Sequence, residues 1–218
     1  MSARLSPQQM HVRAFERIME LTKTDPQLGA LVPSDAVMAA IKTPGASYEQ
    51  IIDAALRGYA DRQALGQRAY EVVAGPRGEQ VRRHLPRFDT ITYAELRRRI
   101  EAVASAWRHH PEHRVGQGEF VAIFGFTGTD YLACDLATVY AQAVGAPLQA
   151  NMGEGELTEI LGDIAPAAVV VNIDSVEEVV PLVLAQPSVR SVIVIDADLR
   201  VDRERGIVEA ARAAFEAA

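Results

Sequence analysis

The segment Gly125-Phe126-Thr127-Gly128-Thr129-Asp130 follows an apolar run at residues 120–124 and opens a helical pattern. A glycine-containing turn between a strand and a helix N-terminus gathers backbone N–H groups and the positive end of the helix dipole, a favourable place for an anion. The spacing departs from a dinucleotide or phosphate loop. Only Gly125 and Gly128 stand where G-x-G-x-x-G is needed, no G-K-[ST] follows, and Leu148-Gln149-Ala150-Asn151 offers no acid for a ribose. These residues read as a tight strand-to-helix turn with Thr127 or Thr129 as the helix cap.

His109-His110-Pro111-Glu112-His113 contains ligand types, but Pro111 ends the helix on which i, i+4 ligation would depend, so a solvated helix end is expected. Cys134 is the single cysteine, which excludes an internal disulfide and a cysteine-based zinc site; it is expected to be a buried, inert thiol. His11 and His84 stand alone, and no Ser/His/Asp order with a nucleophile elbow is present. Asp196 and Asp198 close an apolar run and are expected to cap the next turn, with nothing supporting them as a catalytic carboxylate pair. The only lysines, Lys23 and Lys42, lie outside any glycine-rich loop. From the residues, therefore, we assign no catalytic, cofactor-binding or metal-binding position.

The chain that must position such groups has 218 residues, 49% apolar and 23% charged, enough for a large core. Its net charge of −7 argues against a nucleic-acid partner, and Arg97, Arg98 and Arg99 lie between Glu95 and Glu101 on a helical pattern. Residues 1–9 lack the apolar stretch of a signal peptide, and the apolar run at 164–173 is too short for a bilayer and contains Pro166. A cytoplasmic protein with no membrane partner is expected.

Helical spacing at residues 10–21 and 37–41, the second after Ser34, marks a helical N-terminal extension over residues 1–46, expected to lie on the surface of the larger unit after it. Ser47 and Gln50 have capping-box spacing before Ile51, Leu56 and Tyr59, and Ser175 and Glu178 repeat it. Strand-like stretches at 64–73 and 87–91 predict an antiparallel pair joined by a polar connection over 75–86. Thr92 and Glu95 predict a reciprocal cap, with Ile91 packing on Leu96. Four apolar strands at 120–124, 146–150, 168–171 and 191–195 each precede a helix, and Pro181 should kink or shorten the third. The pattern predicts an α/β fold over residues 47–218, a parallel sheet with flanking helices and right-handed crossovers.

Ile91-Thr92-Tyr93-Ala94-Glu95-Leu96 resembles the first core motif of adenylate-forming, acyl-CoA synthetase-like enzymes, of the form L-T-Y-x-E-L. Val139-Tyr140-Ala141-Gln142-Ala143-Val144-Gly145-Ala146-Pro147-Leu148 resembles the second, a helix ending in G-A before a V-P-L strand, roughly 50 residues on. Within that superfamily the chain is most similar to carboxylic acid reductases. Gly58-Tyr59-Ala60-Asp61-Arg62-Gln63-Ala64-Leu65-Gly66-Gln67-Arg68-Ala69 resembles G-Y-A-D-R-P-A-L-G-Q-R-A, with Gln63 where proline is usual, and Leu85-Pro86-Arg87-Phe88-Asp89-Thr90-Ile91-Thr92-Tyr93 resembles L-P-R-F-E-T-I-T-Y. The loop from Gly125 to Tyr131 resembles G-F-T-S-x-D-Y, and Ala146-Pro147-Leu148-Gln149-Ala150 resembles V-P-L-Q.

The resemblance implies the first subdomain of an adenylation domain. Its parent would activate a carboxylic acid with ATP and Mg, load it on phosphopantetheine and reduce it to an aldehyde with NADPH. The family's phosphate loop, substrate-pocket histidine and catalytic lysine fall later than anything here, so the chain alone is expected to be inactive and to hold no cofactor. Thr92, Tyr93, Glu95, Gly145, Pro147 and Leu148 match motifs whose role here is capping, turn and packing. The implied partners are the remaining subdomains of the adenylation domain, with self-association of the fragment through an exposed apolar face. A free-standing α/β nucleotide-binding module and a catalytically silent interaction or regulatory domain remain as alternatives.

Overall fold

The computed structural model describes residues 6–149 and 151–217; Ala150, the end of the second expected parallel strand, lies outside the described residues, as do Met1 to Leu5 and Ala218. The chain divides into two compact units, the first ending at Ala46 and the second beginning at Ser47. In the first, α1 (Pro7–Thr24), α2 (Pro26–Leu31) and α3 (Asp35–Ile41) follow one another with a side-chain cap at each start. Ser6 and Gln9 form a reciprocal box, Asp25 accepts from Gln27 and Leu28, and Ser34 accepts from Val37. The helix expected at 10–21 thus begins earlier, because Ser6 and Pro7 supply a cap and a first-turn proline.

The second unit opens with α4 (Tyr48–Gly58), capped by the predicted Ser47 and Gln50 box. Strands β1 (Gln63–Ala74) and β2 (Gln80–Thr92) pair antiparallel. The connection is residues 75–79, much shorter than the predicted 75–86: Gly78, at φ +86°, makes the turn, and the Gly75 N–H donates to the Glu79 carbonyl at 2.7 Å. Residues 80–85 read as polar loop because of their arginines, yet they are strand. Arg83 pairs with Glu71 across the ladder, and Arg82 is drawn inward.

Helix α5 (Tyr93–His109) starts directly at the end of β2. Thr92 Oγ1 accepts from the Glu95 N–H at 3.2 Å, but the predicted return bond from Glu95 is not made. The Thr92 backbone belongs to the hairpin ladder opposite Gln63, and the Glu95 carboxylate turns to Arg99 at 3.1 Å. The hydrophobic half of the prediction holds, with Ile91 and Leu96 in one core cluster.

Four parallel strands follow: β3 (Phe120–Phe124), β4 (Val144–Leu148), β5 (Ala168–Asn172) and β6 (Ser191–Ile195), in the order β4-β3-β5-β6. Helix α6 (Thr129–Ala141) links β3 to β4, α7 (Glu154–Ile164) links β4 to β5, α8 (Val176–Leu184) links β5 to β6, and α9 (Asp202–Ala217) closes the described chain. β4 starts two residues before the predicted position, because Gln142 turns left-handed (φ 59°) and stops α6 at Ala141. The predicted Ser175 cap also fails: Ser175 lies in a 3-10 turn, and Asn172 instead accepts from the Asp174 N–H at 3.0 Å. Pro181 is accommodated three residues before the end of short α8.

Both faces of the sheet are covered, which is why β3 and β5 are continuous apolar runs rather than alternating ones. One core packs Ile100, Ala104 and Trp107 of α5 and Ala133 and Ala137 of α6 against Val121, Ile123 and Val170. The other packs Leu157, Leu161, Val176, Val179 and Ile207 against Ala122, Phe124 and Val171. Residues such as Phe124, Ile123 and Leu157 are fully buried, each worth roughly 1.5–3 kcal/mol of hydrophobic stabilisation. No helix among the described residues is long and apolar enough to cross a membrane.

Candidate functional site

From β3 the chain passes through α6 to β4 on one side, then crosses to β5 and β6 on the other. The order reverses between β3 and β5, and beyond the carboxyl ends of these strands the backbone loops diverge and leave a crevice. An open cleft of about 750 Å³ lies there, walled by the hairpin (Gln67, Arg82, His84), the loop Phe126 to Thr129, and Asn172, Asp174 and Asp196. Gly125, at φ +152°, lets the loop pass the end of β5: a Cβ would sit 2.8 Å from Asn172 Cβ.

Neither threonine caps α6, contrary to expectation. Gly128 is the N-cap with no side chain to offer, and Thr129 is buried. The negative charge at this helix start comes from Asp130, which pairs with Arg99 at 3.3 Å and accepts from the Asp196 N–H at 3.4 Å. The loop is therefore flanked by carboxylates, and Lys23 and Lys42 are on the helical N-terminal unit. That is poor electrostatics for a phosphate chain.

The two closing aspartates diverge. Asp196 adopts φ 59°; one oxygen accepts from Asn172 Nδ2 at 2.8 Å, while Oδ1 is buried without a partner among the described residues. Burial pushes its pKa up, and the neighbouring Asp130 charge adds to this. Asp198 accepts from Arg200 Nη2 at 2.7 Å and from the Tyr70 hydroxyl at 3.0 Å, and Arg200 holds its carboxyl well below the usual carboxylate range. Only Asp196 belongs to the cleft wall. Arg82 donates to the Asp196 carbonyl at 2.6 Å and to Glu204 at 2.5 Å, lies over the Tyr70 ring at 4.3 Å, and leaves its buried Nε without an acceptor among the described residues. Asp196 Oδ1 and Arg82 Nε are thus two buried polar atoms beside the cleft with no partner among the described residues, while Arg68, His84 and Thr127 add further polar groups to its lining. No covalent chemistry follows from that.

The other candidates lie elsewhere. His110 Nδ1 accepts from the His113 N–H at 3.0 Å and its ring stacks on His113, closing the end of α5; no group of three His, Cys, Asp or Glu in metal-holding geometry occurs among the described residues. Cys134 is buried on α6, where desolvation raises its thiol to about 12. His84 stands alone in sequence, yet the hairpin register brings it to the cleft beside Tyr70. Of the motif residues, Thr92 caps α5 and the Tyr93 ring lies 6.0 Å from Tyr59. Gly145 sits where a Cβ would be 3.1 Å from Thr138 Oγ1, and Leu148 is in the core. None of Thr92, Tyr93, Glu95, Gly145, Pro147 and Leu148 lines the cleft. Sequence reasoning missed Arg82, Asn172 and Glu204; the Arg82–Glu204 contact alone spans more than 100 positions.

The sequence profile of the AMP-binding enzyme family matches residues 60–215. A carboxylic acid reductase from Segniliparus rugosus is 41% identical over 198 residues, covering 90% of this chain and 17% of that protein. The A domain of carboxylic acid reductase from the same organism, solved with AMP and a co-purified carboxylic acid, is similar at TM-score 0.87 and 40% identity over 92% of this chain and 32% of that one. The adenylation domain of a carboxylate reductase from Mycobacterium chelonae gives 0.86 and 35%, covering 100% of this chain and 33% of that one. The chain therefore spans 17% of the curated relative and about a third of each solved domain.

Proposed function

This chain belongs to the AMP-binding enzyme family, and on that ground we propose that it is the first α/β part of the adenylation domain of a carboxylic acid reductase. The observation that carries the proposal is its similarity over the full length to a third of a solved adenylation domain, helical unit included. In the proposed parent, a carboxylic acid is activated with ATP and Mg, transferred to a phosphopantetheine thiol and reduced to an aldehyde with NADPH.

The residues present do not fit ATP on their own. Asp130 and Asp196 flank the strand-to-helix glycine loop, and no lysine lines the cleft. The role derived for this chain is mechanical: Arg82, Glu204 and Asp198 hold the hairpin against the end of β6, and Gly125 and Asn172 set the loop beside β5, so contacts within this chain position the cleft wall.

The test is to replace the corresponding segment of the Segniliparus rugosus carboxylic acid reductase with this chain and follow acid-dependent pyrophosphate release. Retained release is expected from the chimera and none from the isolated chain, which should also show no saturable MgATP binding by calorimetry. A soluble, cooperatively folding chimera without acid-dependent release would overturn the proposal. Turnover by the isolated chain would favour a free-standing enzyme.

A further inference from the structure

Asp196, the residue after β6, is held at φ 59°, a left-handed backbone that residues other than glycine, asparagine and aspartate seldom adopt and that persists only where its surroundings fix it. Three elements meet on it. Its N–H donates to Asp130 at the start of α6, its carbonyl accepts from Arg82 of β2, and its carboxylate accepts from Asn172 at the end of β5. The carboxylate also lies against the loop after β3: a Cβ on Gly128 would stand 3.5 Å from Asp196 Oδ2, as one on Gly125 would stand 2.8 Å from Asn172 Cβ. Each glycine of that loop therefore faces one member of the hydrogen-bonded Asn172–Asp196 pair. The left-handed turn has a second consequence. It aims the Asp196 carbonyl at Arg82 and directs the chain to Asp198, which accepts from Tyr70 of β1.

We propose that Asp196 is the positioning residue that couples the two walls of the cleft: its carboxylate sets the loop from Gly125 to Gly128, through Asn172 and Gly128, and its backbone sets the hairpin, through Arg82 and Asp198. Every one of these contacts is internal to this chain, whatever reaction its parent performs. Gln67 of β1 adds a weaker contact to the carboxylate. The two tasks make different demands on residue 196. Asparagine keeps an acceptor for Asn172 and tolerates the left-handed backbone, so it can perform both. Glycine tolerates the backbone but has no side chain, so it can perform only the second. Alanine can perform neither.

Amide hydrogen exchange of the intact chain at pH 7, read residue by residue by NMR, separates the two tasks. The Leu132 and Asp174 N–H groups, bonded to the Gly128 carbonyl and to Asn172 Oδ1, report the loop side. The ladder amides of residues 81–84 report the hairpin, and those of β3 report global unfolding and serve as the reference. Asp196→Gly should speed loop exchange by about tenfold and hairpin exchange by about twofold at most, Asp196→Ala should speed both by about tenfold, and Asp196→Asn should speed neither. Asn172→Ala keeps the left-handed turn; read at Leu132, it should repeat the glycine pattern and serves where an Asp196 variant does not fold. Equal hairpin loosening by glycine and alanine, an unchanged loop in folded Asp196→Gly or Asn172→Ala, or loosening by asparagine equal to that by alanine would each overturn the proposal.

Discussion

Tyr70 on β1 donates its phenolic hydrogen to Asp198 at 3.0 Å, joining the hairpin to the turn after the last strand of the sheet. Beside it Arg82 reaches Glu204 at the start of α9, and the Asp198 N–H donates to the same Glu204 carboxylate at 2.7 Å. A two-stranded ribbon has little stability of its own. These polar ties hold it against the sheet and so determine the cleft wall.

The Arg82–Glu204 pair is largely buried, with 19% and 8% of the side chains exposed, so removing one partner strands a charge. Arg82→Ala or Glu204→Ala should cost about 3–5 kcal/mol, and the double variant clearly less than the sum. Urea midpoints of the three variants measure the coupling. Additive losses would show that the pair does not act as a unit.

The two cleft-end aspartates should respond oppositely to charge removal. Asp198 is held low by Arg200, so its charge stabilises the fold above the ordinary carboxylate pKa of about 4, and that contribution fades as pH falls through its depressed folded value. Asp196 is raised by burial: the folded state binds its proton more readily, so its charge costs stability above the folded value, and the cost is relieved as pH falls. Asp198→Asn should therefore destabilise at pH 7 and Asp196→Asn stabilise, with the Asp196 effect shrinking toward acid. Thermal unfolding from pH 4 to 8 checks both signs.

Thr92→Ala should cost about 1 kcal/mol, through the lost acceptor for the Glu95 N–H. Glu95→Ala should cost about a few tenths of a kcal/mol, because its carboxylate pairs with Arg99 at a half-buried position still open to solvent screening. The two losses should add in denaturant melts, since no return bond couples them. A coupling near about 1 kcal/mol would mean the reciprocal cap forms in solution.

Cys134 should resist thiol reagents in the folded protein at pH 8, where a thiol titrating at about 12 is almost wholly protonated and is shielded by the α6 packing. Its labelling rate should rise with denaturant along the unfolding transition. Rapid labelling without denaturant would place it at the surface.

The α/β class, the strands at 120–124 and 191–195 and the family were legible in the amino-acid order alone, because these rest on short-range signals. Unbroken apolar runs such as Phe120 to Phe124 need cover on both faces, and Ser47 with Gln50 satisfies helix N–H groups within one turn. Long-range contacts set what such signals could not contain. Thr92 could have shared its cap with Glu95, but the hairpin ladder and Arg99 took both partners. Residues 80–85 read as loop until cross-strand Glu71 and distant Glu204 gave their arginines a place. The cleft was equally hidden: Arg82, Asn172 and Asp196 meet only because the strand order reverses beside β3, and the energy of a polar contact depends on where its partner lies in space rather than in sequence.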